Sequence, residues 1–286
     1  MSTDIRRFRI RGEDGRQVEG KHVQGQTGQR VTLTDGPPQT DNSDDEFVLA
    51  RLLFLCTYET NVDFDKLVRA HQVADRYGHN VARHTKRYSR SVRKPSMPNM
   101  MDEMALCETL KLLFNITHYY PDLVDQFSKS VPHLLKMLHR SRLSHPPLQP
   151  PVNYLINALL NLNMNDKKIQ EFSLSPVFPK LDKTCNVEHL INILDRAVTD
   201  YKESELDHVA TPVLNLIRKI HGFAPESVKK FMQWLLLPQE GERDKPLGKS
   251  DTLASKLLKL STSPASPALR NSISHMLFEL SDKDAN

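Results

Sequence analysis

The chain has 286 residues, 38% of them hydrophobic and 26% charged, with a formal net charge of +4 at pH 7. This composition supports a packed core, and the small net charge argues against a nucleic-acid-binding protein. The cysteines, Cys56, Cys107 and Cys185, lie too far apart for a disulfide framework or a zinc-binding pattern. This cysteine usage is typical of a reducing compartment, so we expect a cytoplasmic protein. No run of residues approaches the roughly 18 apolar positions of a membrane span.

Residues 1–45 differ in composition from the remainder of the chain. They hold six of the ten glycines and run into the acidic, proline-containing stretch TDGPPQTDNSDDE. A segment of this kind buries too little apolar surface to offset the entropy that ordering costs. We therefore predict a disordered leader over residues 1–45 and a helical repeat domain over residues 46–286. A short hairpin within VEGKHVQGQTGQRVTLT is the alternative for part of the leader.

From Glu46 onward, apolar residues recur at the spacing of amphipathic helices, and no segment alternates as a strand does. The segment that contains Gly78 is either one long helix or two helices broken near that glycine, and we expect Pro132 to split another helix. In chain order the predicted helices are EFVLARLLFLCTYE, VDFDKLVRAHQVADRYGHNVARHTKRYSRSV, MDEMALCETLKLLFNITHYY, DLVDQFSKSVPHLLKMLHR, VNYLINALLNLNM, NVEHLINILDRAVTDY, SELDHVATPVLNLIRKIHG, APESVKKFMQWLLL, DTLASKLLKLSTS and SPALRNSISHMLFELS. The fold class is therefore predicted to be all-α.

Three of these helices share a pattern. LKLLFNITH, INALLNLNM and TPVLNLIRK are each rich in leucine and carry an asparagine near the middle. Asn115 and Asn157 lie 42 positions apart, within the roughly 40–47-residue period of armadillo and HEAT repeats. Asn215 follows 58 positions after Asn157, because a linker over residues 172–185 lengthens that unit. The pattern predicts an armadillo/HEAT-like α-solenoid, a right-handed superhelix of helical repeats.

A polar stripe runs along one side of these helices. On a helical wheel, Lys111, Asn115 and His118 align with Glu108 between two apolar flanks. In the following repeats the asparagines recur at four-residue spacing or stand one turn from an arginine. The stripe residues that we predict to bind a partner are Arg51, Lys111, Asn115, His118, Asn153, Asn157, Asn161, Asn215 and Arg218.

The stripe has two interpretations. An inner helix of a solenoid is covered on three sides and presents its fourth side to the concave groove, where an amide can donate and accept hydrogen bonds. Alternatively, the asparagines only cap loops or tie neighbouring repeats together. The recurrence favours the groove. In the third repeat we expect Thr211 to be the N-cap and Pro212 to occupy the first helical position.

No enzyme motif is complete, and we predict no catalytic residue, metal site or cofactor. The Gly248-Lys249-Ser250 triplet resembles the end of a phosphate-binding loop, but position 243 is arginine where that loop requires glycine. The sequence also lacks a zinc-protease HExxH motif and a G-x-S-x-G nucleophile elbow. We expect Trp234, the one tryptophan, to lie in the core.

Several segments resemble the synembryn family (resistance to inhibitors of cholinesterase) in a fungal form. They are RLLFLCTYETNVDFDKLV, ETLKLLFNIT, NALLNLN, VATPVLNLIRKIH and LLLPQEGERDKPLGKSDTLASKLLKLSTSP, spread in order over roughly residues 46–286. The resemblance implies an armadillo/HEAT solenoid, in agreement with the repeat pattern. Compared with the family, the chain is expected to lack N-terminal repeats and the acidic C-terminal tail.

The resemblance also implies a function. Synembryns are guanine-nucleotide exchange factors and chaperones for heterotrimeric G-protein α subunits (Gα), which they bind in the GDP-bound or nucleotide-free state. A concave groove would capture the C-terminal helix of Gα and promote GDP release without covalent chemistry. Asn115, Asn157 and Asn161 match family positions, and Lys256 and Lys259 fall on basic positions of a late repeat. We expect a monomer without direct membrane insertion, recruited to the plasma membrane through its partner; the alternative is a solenoid adaptor without exchange activity.

Overall fold

The computed structural model describes residues 5–11, 17–23, 42–58, 62–93, 99–165, 177–179, 182–243 and 249–281. The chain divides into two compact units, Met1–Ser130 and Val131–Asn286. From Asn42 onward the regular elements of the described ranges are helical, so the predicted all-α, helical-repeat fold class is confirmed. No helix within these ranges is long and apolar enough to cross a membrane.

The N-terminal segment contains a pair of strands, β1 (Ile5–Arg11) and β2 (Gln17–Val23). They are antiparallel, with Ile5 opposite Val23 and Arg11 opposite Gln17. The predicted leader therefore contains paired backbone over these two segments, where β-branched and aromatic residues favour extended chain. The hairpin expected over residues 18–34 lies mostly outside the described residues, and β2 pairs with an earlier segment instead. The division at residue 45 stays a prediction.

Over its described residues the first unit continues with five helices, and three of them begin at a side-chain cap. Asn42 accepts a hydrogen bond from the Asp44 backbone N–H, so the first helix begins three residues before the predicted Glu46. Asn99 accepts one from Met101 N–H in the same way. The helices are α1 (Ser43–Cys56), α2 (Phe64–Ala70), α3 (Val73–Arg93), α4 (Met100–Tyr119) and a 3₁₀ helix (Pro121–Ser130).

The second predicted segment forms two helices, as one of the two alternatives had it, but the break does not lie near Gly78. The chain turns between α2 and α3 at Gln72, whose φ of 53° lies in the left-handed region, and Gly78 lies inside α3. Tyr77 and Val81 on either side of this glycine are buried. Packing of α3 against the core therefore outweighs the weak helix propensity of one glycine, about 1 kcal/mol.

A buried carboxylate connects three helices of this unit. Glu46 on α1 accepts hydrogen bonds from Arg83 and His84 on α3 and from Thr109 on α4, at 2.8 Å for Thr109 Oγ1. Burial alone would raise the pKa of Glu46, but the His84 hydrogen bond and the His84 and Arg83 charges outweigh it and lower that pKa. The carboxylate therefore stays ionised in the core.

The second unit begins at the break that Pro132 predicts, because the 3₁₀ helix ends at Ser130 and the next helix starts at Val131. Half of the predicted linker over residues 172–185 lies outside the described residues. The helices are α5 (Val131–Arg140), α6 (Val152–Asn161), α7 (Cys185–Asp200), α8 (Glu203–Phe223), α9 (Glu226–Leu236), α10 (Glu240–Arg243), α11 (Leu253–Ser261) and α12 (Pro267–Leu280).

The predicted start of α8 at Thr211 was wrong. The helix begins at Glu203, and Pro212 lies inside it. Thr211 Oγ1 is buried without a hydrogen-bond partner among the described residues, so it caps nothing there. Ala210 and Val213 on either side of the proline are fully buried, and this packing offsets the roughly 3 kcal/mol that an internal proline costs.

Trp234 was also assigned wrongly. Its side chain on α9 is 61% exposed, with its ring centroid 6.2 Å from that of Phe231. The residues of α9 that face the core are instead Val228, Met232 and Leu236. These three recur every four residues, and Trp234 stands on the other side of the helix.

Candidate functional site

A buried glutamate organises the contact between α1 and α4. Glu108 is 5% exposed, and its Oε1 accepts hydrogen bonds from Arg51 Nη1 at 3.0 Å and Lys111 Nζ at 2.5 Å. Both cations are predicted binding residues, whereas Glu108 lies on the polar stripe but is not among them. Charges taken out of water need partners of opposite sign. The pairing therefore holds Arg51 and Lys111 in place at the surface.

The two cations differ in how far they reach solvent. The Lys111 ammonium lies 5.1 Å from the Phe54 ring centroid, within cation–π range, and its side chain is 19% exposed. The Arg51 side chain is 48% exposed. Leu55, one turn further along α1, and Tyr58 are also exposed. We call the surface formed by Arg51, Leu55, Tyr58, Lys111 and His118 the α1–α4 face.

Asn115 is 6% exposed and lies between the two helices. Its Nδ2 donates a hydrogen bond to Thr57 Oγ1 at 2.8 Å, and that hydroxyl donates to the Phe54 carbonyl at 2.6 Å. The amide thus ties α4 to the end of α1, which is the alternative role that the sequence left open. Contact of Asn115 with a partner stays a prediction.

His118 is the exposed member of the stripe on α4. Its ring stacks on Phe114, with centroids 5.7 Å apart and planes inclined by 7°, and meets Tyr119 edge-on at 5.1 Å. Burial and the nearby Glu103 charge raise the pKa of Cys107 to about 12, so this thiol remains protonated at neutral pH.

The asparagines of α6 lie on one side of that helix. Asn153, Asn157 and Asn161 are four residues apart and all half-buried. The Asn153 side chain accepts a hydrogen bond from Tyr154 N–H at 2.8 Å, so one of its oxygen lone pairs is used locally. The helix ends at Asn161, and the row of amides therefore does not continue on it to Asn165.

A pocket of about 720 Å³ opens beside α8 in the second unit. Arg218, on α8, donates from Nη2 to Glu279 Oε1 at 2.6 Å and from Nε to Glu279 Oε2 at 3.2 Å. This bidentate hydrogen bond and the arginine charge lower the pKa of Glu279. We call this cavity the α8 pocket; its lining residues are Asn215, Arg218, Lys219, His221, Gly222, Lys229 and Glu279.

These surfaces belong to a chain whose sequence matches a known family. The model of the family described as guanine nucleotide exchange factor synembryn matches residues 13–286. The chain belongs to the synembryn family. The match begins well before residue 46 and so includes most of the segment that we predicted as a leader. No curated protein sequence matches the chain.

Synembryns are described as exchange factors, and an exchange factor needs surfaces that bind rather than groups that make bonds. Lys256 and Lys259, the two cations of the late repeat, differ in how far their charges are available for binding. Lys256 Nζ, on α11, lies 2.9 Å from Asp195 Oδ1 and 3.0 Å from Thr199 Oγ1 on α7, so its charge is used within the unit. Lys259, on the same helix, is exposed.

Sequence reasoning missed Lys219, which has a structural role in this synembryn. Its ammonium donates to the carbonyls of Leu160 and Leu162, both at 2.6 Å, and thereby caps the C-terminal end of α6. Burial lowers the pKa of Lys219. A lysine beside Arg218 in an otherwise leucine-rich helix was the one feature of the sequence that could have indicated this role. The carbonyls that it caps could not be foreseen, because they lie 57 and 59 positions away in the sequence.

Proposed function

We propose that this chain is a guanine-nucleotide exchange factor and chaperone for heterotrimeric Gα subunits. It binds the C-terminal helix of a GDP-bound or nucleotide-free Gα through the polar stripe of its inner helices. Membership of the synembryn family is the observation that carries this proposal. The chain acts as a cytoplasmic monomer that its partner recruits to the plasma membrane.

The α1–α4 face supports this proposal because it suits an amphipathic helix. Leu55 and Tyr58 supply exposed apolar surface, and Arg51 beside them supplies a positive charge that Glu108 holds in position. Helices bind to such surfaces through apolar anchors one turn apart, while flanking charges select the partner. Asn157, Asn161 and Lys259 are the stripe and late-repeat residues that we assign to the same partner.

The mechanism is a shift of population. A surface that holds the C-terminal helix of Gα away from the nucleotide pocket binds the open state more tightly than the closed state. Only this difference in affinity can move the equilibrium towards release of GDP. A shift from 1:99 to 99:1 requires about 5.5 kcal/mol of differential binding. No covalent step is required.

A test uses His118→Glu, which places a negative charge on the α1–α4 face without removing a hydrogen bond of the core. We expect the release of labelled GDP from Gα to fall about tenfold, the equivalent of about 1.4 kcal/mol of binding. Lys86→Glu, on the exposed side of α3, makes a larger change of charge away from this face; it is the control and should retain activity. If the folded wild-type chain neither binds Gα nor accelerates GDP release, the proposal fails.

The second candidate is a solenoid adaptor without exchange activity. The observation that favours it is that Asn115, a central stripe residue, is buried and bonded to Thr57. An adaptor would bind peptides without preference for the C-terminal helix of Gα. Binding of the isolated Gα helix no tighter than a scrambled peptide, combined with unchanged GDP release, would identify this function.

A further inference from the structure

The α8 pocket contains polar side chains that the fold does not use. Asn215, on α8, and Lys229, on α9, make no side-chain hydrogen bond or ion pair with any described residue. Arg218 and Lys219, in contrast, are bound to Glu279 and to the end of α6. The pocket therefore has a fixed wall and two groups that remain available to a ligand.

The charge of the wall favours an anion. Three cations, Arg218, Lys219 and Lys229, face one carboxylate, Glu279, which leaves a net charge of +2 with His221 neutral. Glu279 already accepts two hydrogen bonds from Arg218, so it offers little to a cationic ligand. A concave wall of one sign focuses the electrostatic field and raises the local concentration of an ion of opposite charge.

The number of donors favours an anion with several oxygens. The guanidinium of Arg218 has five N–H donors and gives one from Nε and one from Nη2 to Glu279, so others can point elsewhere. The Asn215 amide and the Lys229 ammonium add donors from two neighbouring helices. A phosphate dianion presents three acceptor oxygens to such a set, whereas a carboxylate presents two.

We propose that the α8 pocket binds a small phosphorylated molecule through its phosphomonoester group. The volume of about 720 Å³ lies in the range of small-molecule sites, roughly 300–1,000 Å³, and leaves room for the group that carries the phosphate. Lys229 and Asn215 supply the contacts, while the Arg218–Glu279 pair keeps the guanidinium oriented. This site goes beyond the proposed exchange activity and requires no Gα subunit.

The experiment measures the thermal unfolding of the full chain during titration with inorganic phosphate and with glycerol 3-phosphate. Sodium chloride at matched ionic strength is the reference, because a ligand that binds only the folded state raises the unfolding temperature. We expect a saturable rise with both phosphates, larger for the ester. A rise no larger than that with chloride would overturn the proposal.

The chain provides a matched pair of lysines. Lys229 lines the pocket, whereas Lys230 is the next residue and is exposed outside it. Lys229→Gln should weaken phosphate binding about tenfold, and Lys230→Gln should leave it unchanged. Equal weakening by both variants would show a diffuse charge effect and would contradict a defined site. If Lys229→Gln proves unstable, Asn215→Asp adds a negative charge to the same wall, and phosphate binding at wild-type affinity in that variant would also overturn the site.

A phosphoserine peptide and its unphosphorylated form distinguish a protein ligand from a small molecule. The proposal expects the phosphopeptide to bind no more tightly than glycerol 3-phosphate. Much tighter binding of the phosphopeptide would contradict it. None of these measurements contains Gα, so their failure leaves the exchange activity untouched, and loss of exchange activity leaves this site untouched.

Discussion

The α1–α4 face and the α8 pocket carry the same kinds of side chain but use them differently. Lys111 of the first region is bound by Glu108, and Asn115, buried between the same two helices, is bound to Thr57. In the second, Asn215 and Lys229 have no side-chain partner among the described residues. An asparagine near the middle of a leucine-rich helix can therefore hold two helices together or face a ligand, depending on which groups the neighbouring helix presents.

The largest expected effect is on the buried network that supports the first region. Glu46→Gln removes the charge that compensates Arg83 in the core, so we expect a loss of about 3–5 kcal/mol in the free energy of unfolding. Urea denaturation followed by circular dichroism measures it. A loss below about 1 kcal/mol would show that the network does not hold α1, α3 and α4 together.

The Glu46 carboxylate also makes the stability of the folded chain depend on pH. Its pKa is lowered in the folded chain relative to the unfolded chain. The stability that Glu46 contributes is therefore complete above the unfolded value, about 4.3 for a glutamate, and is lost as the pH falls through the folded value. Glu46→Gln should flatten this part of the stability profile, which urea midpoints between pH 7 and pH 3 would record.

A smaller loss of stability should distinguish an asparagine that joins two helices from one that has no side-chain partner among the described residues. Asn115→Ala leaves the half-buried Thr57 hydroxyl without its amide donor, so we expect a loss of about 1–3 kcal/mol. Asn157→Ala, half-buried on α6 and without a side-chain hydrogen bond to the described residues, should cost less than about 1 kcal/mol. Thermal unfolding measures both losses. If the two variants lose the same free energy of unfolding, Asn115 does not differ from Asn157 in holding helices together.

The smallest effect concerns the pair beside the α8 pocket. Arg218→Gln breaks a bidentate contact whose partners are 27% and 37% exposed, so the loss should be about 0–1 kcal/mol. Because the pKa of Glu279 is lowered in the folded chain, this contribution is present at neutral pH and disappears in acid. Arg69→Gln, which breaks the exposed pair with Asp65, is the control. A loss near 3 kcal/mol would mean that the pair supports the unit and not only the pocket.

The amino-acid sequence by itself determined the helices and much of their order. The spacing of apolar residues gave the bounds of α4 closely and placed a break at Pro132, because both depend on residues within a few positions of one another. It also placed Lys111, Asn115 and His118 on one side of α4, since a helix repeats every 3.6 residues. The family match rests on the same linear information.

Only the tertiary structure decided which polar groups are used internally. Asn115 meets Thr57 across 58 positions, and Lys219 reaches carbonyls 57 and 59 positions away. Packing also kept α8 continuous through Pro212 and left Trp234 at the surface. Helical periodicity states which side chains share a face, but the partner of a buried amide or charge depends on helices brought together from distant parts of the chain.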